Sequence, residues 1–195
     1  PGLTGPLIED RPVLAWEKVR YYGEPVAMVV ALDERTAARA AGLIKVEYRP
    51  LPVVLSPADA LLSDAVKIHE PAKPYKKTAD DVLPQPEKNI AARFYIRKGD
   101  MELGWTNSQV IVEESFDLPG SDHIAMETRV AQAEFKADGT LFIRTSSQAP
   151  FTVKTLLASY LNIEESKVQV QVPLLGGAFG GKACVQLELL AALAS

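Results

Sequence analysis

Apolar positions along this chain recur with two different periods, and the changes of period mark its elements. An unbroken apolar run at residues 26–31 follows Gly23 and Pro25 and predicts a buried strand. Asp33 then offers an N-cap to an alanine-rich stretch, which predicts a helix from Glu34 to about Gly42. Residues 45–48 alternate with period two and stop before Pro50, as a strand does. Ser56 followed by Pro57 marks another helix start, with proline at the first helical position.

Residues 71–89 break the pattern. They are rich in proline, lysine and acids, and they read as an exposed connector that either projects or wraps around the body. Beyond it, residues 91–97 and 109–117 have strand character, with a short helix expected near Met101. Residues 128–136 and 140–146 predict a hairpin turned at Asp138-Gly139. Pro150 opens a stretch with apolar residues at Val153, Leu156, Leu157 and Tyr160, which is helical spacing. A strand is expected at 167–172, followed by Gly176-Gly177-Ala178-Phe179-Gly180-Gly181-Lys182 and an apolar helix-forming run from Val185. No internal repeat is visible. Both termini read as cut edges, so the chain is expected to be a piece of a larger polypeptide.

Composition narrows the function classes. Of 195 residues, 47% are hydrophobic and 24% charged, the balance of an ordinary globular protein. The net charge of −4 comes without a basic stripe, which argues against nucleic-acid binding. No run approaches the length of about eighteen apolar residues that a membrane span needs. Cys184 is the single cysteine, so an internal disulfide is excluded and a reducing, cytoplasmic setting is expected. Cys184 itself is expected as a small buried hydrophobe on the helix after the glycine loop. With His69 and His123 far apart, a Cys/His zinc site is ruled out, and any iron–sulfur cluster must sit on another chain or domain.

The glycine loop is the chemically suggestive feature. Glycine lets another molecule approach the backbone, and a loop between a strand and a helix is a place for an anion or a cofactor. It is not a Walker loop, because Ala183 follows Lys182 where a Ser or Thr is required. A tight strand–helix turn and a phosphate site are both open readings. Gln148, just before Pro150, fits a helix-end turn as well as a binding group. His123 lacks an assignable carboxylate partner and reads as structural, and Glu127 reads as a hydrogen-bond anchor.

The order of motifs adds a resemblance. Val19-Arg20-Tyr21-Tyr22-Gly23-Glu24-Pro25-Val26-Ala27 is followed by Val46-Glu47-Tyr48-Arg49-Pro50-Leu51-Pro52, then by residues 123–133, by Ser147-Gln148-Ala149-Pro150 and by the Gly176 to Lys182 loop. In that order they resemble the molybdenum-binding large subunit of the xanthine dehydrogenase/aldehyde oxidase family. The resemblance implies an α+β fold. An N-terminally truncated α/β hammerhead domain would span 1–70, a connector 71–89, and the first part of a C-terminally truncated molybdopterin-binding domain 90–195. It implies that Gln148 donates to an oxo ligand of molybdenum, with no direct metal ligand from the protein. Gly177, Ala178, Phe179 and Gly180 would meet the cofactor, and Phe179 and Ala183 would border the substrate pocket.

The same resemblance implies a molybdenum–molybdopterin cofactor, in the cytosine dinucleotide form for a bacterial source. It implies iron–sulfur clusters and FAD on partner subunits or domains, and an aldehyde or N-heterocyclic substrate hydroxylated with oxygen from water. The family's catalytic glutamate has no counterpart here, so the chain by itself is expected to be inactive. Three positions depart from the family pattern: Ala178 replaces a glycine, Thr128 a proline, and Ala183 the glutamate that xanthine-oxidising members carry. A non-catalytic scaffold or assembly subunit that keeps the hammerhead is the alternative.

Overall fold

The computed structural model describes residues 3–5, 8–69, 75–77, 79–80 and 84–195. In chain order the elements are β1 (Leu3–Thr4), β2 (Arg11–Pro12), α1 (Glu34–Ala41), α2 (Pro57–Ala60), α3 (Met101–Asn107), β3 (Ala131–Phe135), β4 (Leu141–Thr145), α4 (Pro150–Leu161), β5 (Val168–Gln171) and α5 (Leu187–Ala194). Short 3-10 turns lie at Pro86–Lys88 and Glu165–Lys167. Helices and strands are mixed, as an α+β chain requires.

The first three helices exist because their ends are capped. The Asp33 carboxylate accepts the Thr36 N–H at 2.8 Å, Ser56 Oγ accepts the Asp59 N–H at 3.0 Å, and the Asp100 carboxylate accepts the Leu103 N–H at 3.0 Å. Each cap satisfies one of the orphan donors that a helix start leaves behind. None of these helices carries a buried residue, so capping rather than packing holds them.

The core lies in the C-terminal half. β4 is the central strand, antiparallel to β3 (Ala131↔Thr145 to Phe135↔Leu141) and parallel to β5 (Leu141↔Val168 to Arg144↔Gln171). The hairpin turns where expected: Asp138 accepts the Thr140 N–H at 2.9 Å, beside Gly139. A parallel neighbour needs a crossover, and α4 supplies it. Asn162 closes α4 in the left-handed conformation at φ 54°. Strand alternation puts Leu141, Ile143 and Thr145 on one face. There they join Val153, Leu157 and Ala158 of α4, Val168 of β5, and Leu189 and Ala192 of α5. Val13 from the N-terminal segment completes this cluster.

The motif around Gly23 is a local turn. Glu24 donates its N–H to Tyr21 O at 3.4 Å and accepts the Arg20 N–H on its carboxylate at 2.6 Å. The described part of the connector wraps onto the N-terminal unit. Glu9 N–H donates to Lys76 O at 2.8 Å, and the Lys76 ammonium meets Glu9 at 2.7 Å. Asn89 accepts the Ile68 N–H at 2.9 Å and donates to Ala60 O and Val66 O. Residues 71–74, 78 and 81–83 of that connector lie outside the described residues.

Two sets of expectations are corrected. Residues 26–31, 45–48, 91–97 and 109–117 form no hydrogen-bonded strand among the described residues. A strand is completed by a neighbour, and apolar residues such as Val30, Val46, Ile96 and Val112 are instead exposed here. The accessible surface is accordingly 14894 Å², against roughly 9,000 Å² for a compact monomer of this mass. Cys184 is exposed and precedes α5, which starts only at Leu187.

Leu157 is fully buried between α4 and the sheet. Leu157→Ala is expected to lower the unfolding free energy by about 2–5 kcal/mol in urea titration. Leu103→Ala on exposed α3 is expected to change it by no more than about 0.5 kcal/mol. Equal effects at the two sites would contradict this assignment of the core.

Candidate functional site

The β4–α4 turn and the glycine loop meet edge to edge. Gln148 N–H donates to Lys182 O at 3.1 Å, and Ser147 Oγ donates to the same carbonyl at 3.2 Å. Ser147 Oγ also accepts the Ala149 N–H at 3.1 Å, which tightens the turn into α4. The main chain of Gln148 is thus fixed, while its side chain is exposed and has no protein partner among the described residues. A primary amide offers two N–H donors without adding charge.

The loop is built by two consecutive turns. Gly181 N–H donates to Ala178 O at 2.8 Å, and Ala183 N–H donates to Gly180 O at 3.2 Å. Gly180 sits at φ 88° and Phe179 at φ 49°, both left-handed. Glycine takes that conformation freely, whereas for Phe179 it stores strain of about 1–3 kcal/mol. The strained residue also exposes 74% of its surface, so a large ring stands out from the loop instead of filling a core. The N–H groups of Gly177, Ala178, Phe179 and Gly180 have no protein acceptor among the described residues. Ala183 is exposed just past the loop.

Glu127 holds the loop from the other side. Its N–H donates to Gly176 O at 3.2 Å, and its carboxylate accepts the Gly176 N–H at 3.0 Å and the Lys182 ammonium at 2.5 Å. The approach is close enough that a Cβ on Gly176 would lie 2.6 Å from that of Glu127. The Lys182 side chain is 3% exposed and that of Glu127 31%. The anchoring role expected of Glu127 is the one it plays. His123 packs its ring against Gly181, where an added Cβ would meet the ring at 2.7 Å; its Nδ1 also lies 3.5 Å from the Asp122 carboxylate, a neighbour that the sequence reading did not assign and that corrects it.

The sequence reading missed two further anchors. Arg129 donates to Cys184 O at 2.6 Å, fixing the chain just past the loop. Glu188 is buried and accepts Thr145 Oγ1 at 2.6 Å and Gln186 N–H at 3.2 Å, tying the start of α5 to β4. Its signal was a lone acid in the first turn of an otherwise apolar helix, where the macrodipole favours negative charge. Among the described residues, no group of three or more His, Cys, Asp or Glu side chains is placed to hold a metal ion. No helix among them is long and apolar enough to cross a membrane.

The bond from Lys182, then the Gly176 N–H, holds the Glu127 carboxyl below its ordinary value of 4.5. Asp33 and Asp138 are lowered as well, chiefly by the N–H groups of Thr36 and Thr140. A carboxyl with a depressed folded-state pKa binds protons less readily in the folded state. Its stabilisation is complete above the unfolded pKa and is lost as pH falls through the folded one. The thermal midpoint is therefore expected to drop on acidification below 4.5, and less steeply in Glu127→Gln than in the parent. Parallel curves from calorimetry would show that Glu127 does not contribute to the drop.

Known proteins resemble this chain in sequence and in overall fold. Residues 82–195 match the molybdopterin cofactor-binding domain, and residues 3–52 match the α/β hammerhead domain of aldehyde oxidase and xanthine dehydrogenase. The carbon monoxide dehydrogenase large chain of Hydrogenophaga pseudoflava is 36% identical, over 93% of this chain and 22% of its own length. The crystal structure of quinoline 2-oxidoreductase from Pseudomonas putida 86 superposes with a TM-score of 0.72 at 32% identity, over 94% of this chain and 22% of that one. Aldehyde oxidoreductase from Desulfovibrio gigas superposes with a TM-score of 0.74 at 28% identity, over 95% of this chain and 19% of that one. The chain thus spans less than a quarter of the length of these relatives. With the motifs in order across both matched domains, the chain belongs to the molybdenum-binding subunits of the xanthine dehydrogenase/aldehyde oxidase family.

Proposed function

We propose that this chain is part of a molybdenum hydroxylase and forms one wall of its cofactor site. The observation that carries the reading is the join between the Gln148 turn and the glycine loop through Lys182 O. It sets an amide and a run of backbone N–H groups that have no partner among the described residues beside an exposed strained phenylalanine. Unsatisfied donors around bare backbone suit a large, anionic, oxygen- and sulfur-rich group, so the residues present fit molybdopterin.

When bound, the molybdenum–molybdopterin group supplies the electron acceptor and activates water. The chain's own residues position it. Gln148 would offer an uncharged N–H donor to the group beside the metal. Gly177, Ala178, Phe179 and Gly180 offer backbone N–H groups, and the Phe179 ring orients a flat substrate. Ala183 leaves space and no charge on the substrate side, which favours an aldehyde or an N-heterocycle over xanthine.

The reaction is hydroxylation at an electron-poor carbon with oxygen taken from water. The general base would come from the remainder of the large subunit, and electrons would leave to iron–sulfur clusters and FAD on partner subunits or domains. The exposed apolar residues of 26–55 and 90–130 support contact with that remainder. The bacterial relatives favour the cytosine dinucleotide form of the pterin, and a single unpaired cysteine favours the cytoplasm. Residues 1–70 and 90–195 serve as hammerhead and cofactor-binding units.

The test is to purify the complete polypeptide that carries this chain and measure its molybdenum and its turnover of aldehydes and quinoline-like heterocycles in ¹⁸O-labelled water. Stoichiometric molybdenum and labelled product are expected. Absence of molybdenum, or unlabelled product, would overturn the reading. Gln148→Ala is expected to lower kcat by about a hundredfold, the usual cost of one donor to a reacting centre, with KM little changed. The 195-residue chain alone is expected to retain no stoichiometric molybdenum.

A further inference from the structure

We infer that Glu127 and Lys182 form a clamp that sets the glycine loop against the Gln148 turn, and so act as positioning residues for the wall described above. The geometry of the clamp stands on its own; its consequence for cofactor loading rests on the proposed function. Glu127 touches both ends of the loop. It exchanges two hydrogen bonds with Gly176 at the start and binds the Lys182 ammonium at the end. Lys182 is in turn held at its other end, where its carbonyl accepts Gln148 N–H and Ser147 Oγ. One lysine therefore joins three segments that are distant in sequence.

Its burial separates this pair from a solvated surface ion pair. A lysine 3% exposed needs a partner for its ammonium, and Glu127 is its counterion. An ammonium so enclosed and so committed is not a cation offered to a ligand. The two partners are also unequal. Removing Glu127 strands a buried cation, whereas removing Lys182 leaves a carboxylate that water still reaches. The two single substitutions should therefore differ in size, and their effects should not add.

Hydrogen–deuterium exchange on the complete polypeptide carrying this chain tests the clamp, using Glu127→Gln, Lys182→Met and the double variant. Peptides covering 146–150 and 174–183 report on the two segments, and the 131–145 hairpin is the internal reference. In Glu127→Gln, exchange at both segments is expected to rise about tenfold or more relative to the hairpin, the scale of a lost charged hydrogen bond. Lys182→Met should give a smaller rise, and the double variant should resemble Lys182→Met. Unchanged exchange at the two segments, a rise no greater than that of the hairpin, or additive effects would overturn the clamp. If Glu127→Gln does not accumulate folded, Lys182→Met against the parent carries the same test.

Molybdenum content separates the two readings. Content that falls as loop exchange rises supports positioning of the cofactor. Unchanged content beside a loosened loop overturns the positioning role. A parent protein without molybdenum sinks the proposed function and leaves the clamp to be decided by exchange alone.

Discussion

A lysine ammonium taken out of water needs a counterion within reach, and this requirement organises the region around the glycine loop. Lys182 ends the loop with its side chain buried, and Glu127 is the acid that meets it. Because Glu127 also exchanges backbone and side-chain bonds with Gly176, neutralising the charge closes the base of the loop at the same time. The lysine carbonyl then takes the Gln148 N–H, so the turn before α4 inherits the same register. Little of this depends on the loop's own sequence preferences. A glycine-rich segment has the largest conformational freedom to lose, and it is ordered here by bonds made at its two ends together with its own two turns.

The sheet beneath supplies the rigid reference. β4 is flanked by β3 on one side and β5 on the other, so its C-terminal end, where Gln148 follows, has little freedom. Thr145 passes that constraint to α5 through buried Glu188. The loop between β5 and α5 is therefore held by elements that pack on the same face of one sheet. Irregular backbone carried at the strand ends of a packed sheet is where ligand groups are commonly presented. The strain at Phe179 fits this view: a left-handed aromatic residue persists only when its surroundings over-determine it.

What was legible in the sequence was local. Asp33, Ser56 and Pro150 announce helix starts because a cap is written in three or four adjacent residues. The hairpin at Asp138-Gly139 was legible for the same reason, and so was α4 from its spacing. Strands at 26–31, 45–48, 91–97 and 109–117 were misjudged because a strand is a relation between two segments, and apolar character alone does not supply the second. Cys184 was misplaced because the helix after the loop starts later than its apolar run suggests, leaving the thiol on an exposed turn. The pairing of Glu127 with Lys182 spans 55 positions, beyond any local signal, although the anchoring character of Glu127 was readable. At the site, the ordered motifs pointed to Gln148 and the loop. The sequence did not say what held them together.

The uneven distribution of order along the chain bears on the proposal that a single wall would bind its cofactor weakly. The C-terminal sheet has a packed core, and its charged anchors Glu127, Lys182 and Glu188 are bonded. The N-terminal helices are capped yet bury nothing, and apolar residues there such as Val30, Val46 and Val53 are exposed among the described residues. Donors presented by one preformed wall contact one side of a ligand. The opposite side stays hydrated, and the cost of immobilising the ligand is met by half the contacts. Affinity and catalysis both require that water be excluded and charge be met from several directions. A segment that presents rigid donors beside uncovered apolar surface is thus suited to completing a site together with other polypeptide, with its own contribution fixed in advance.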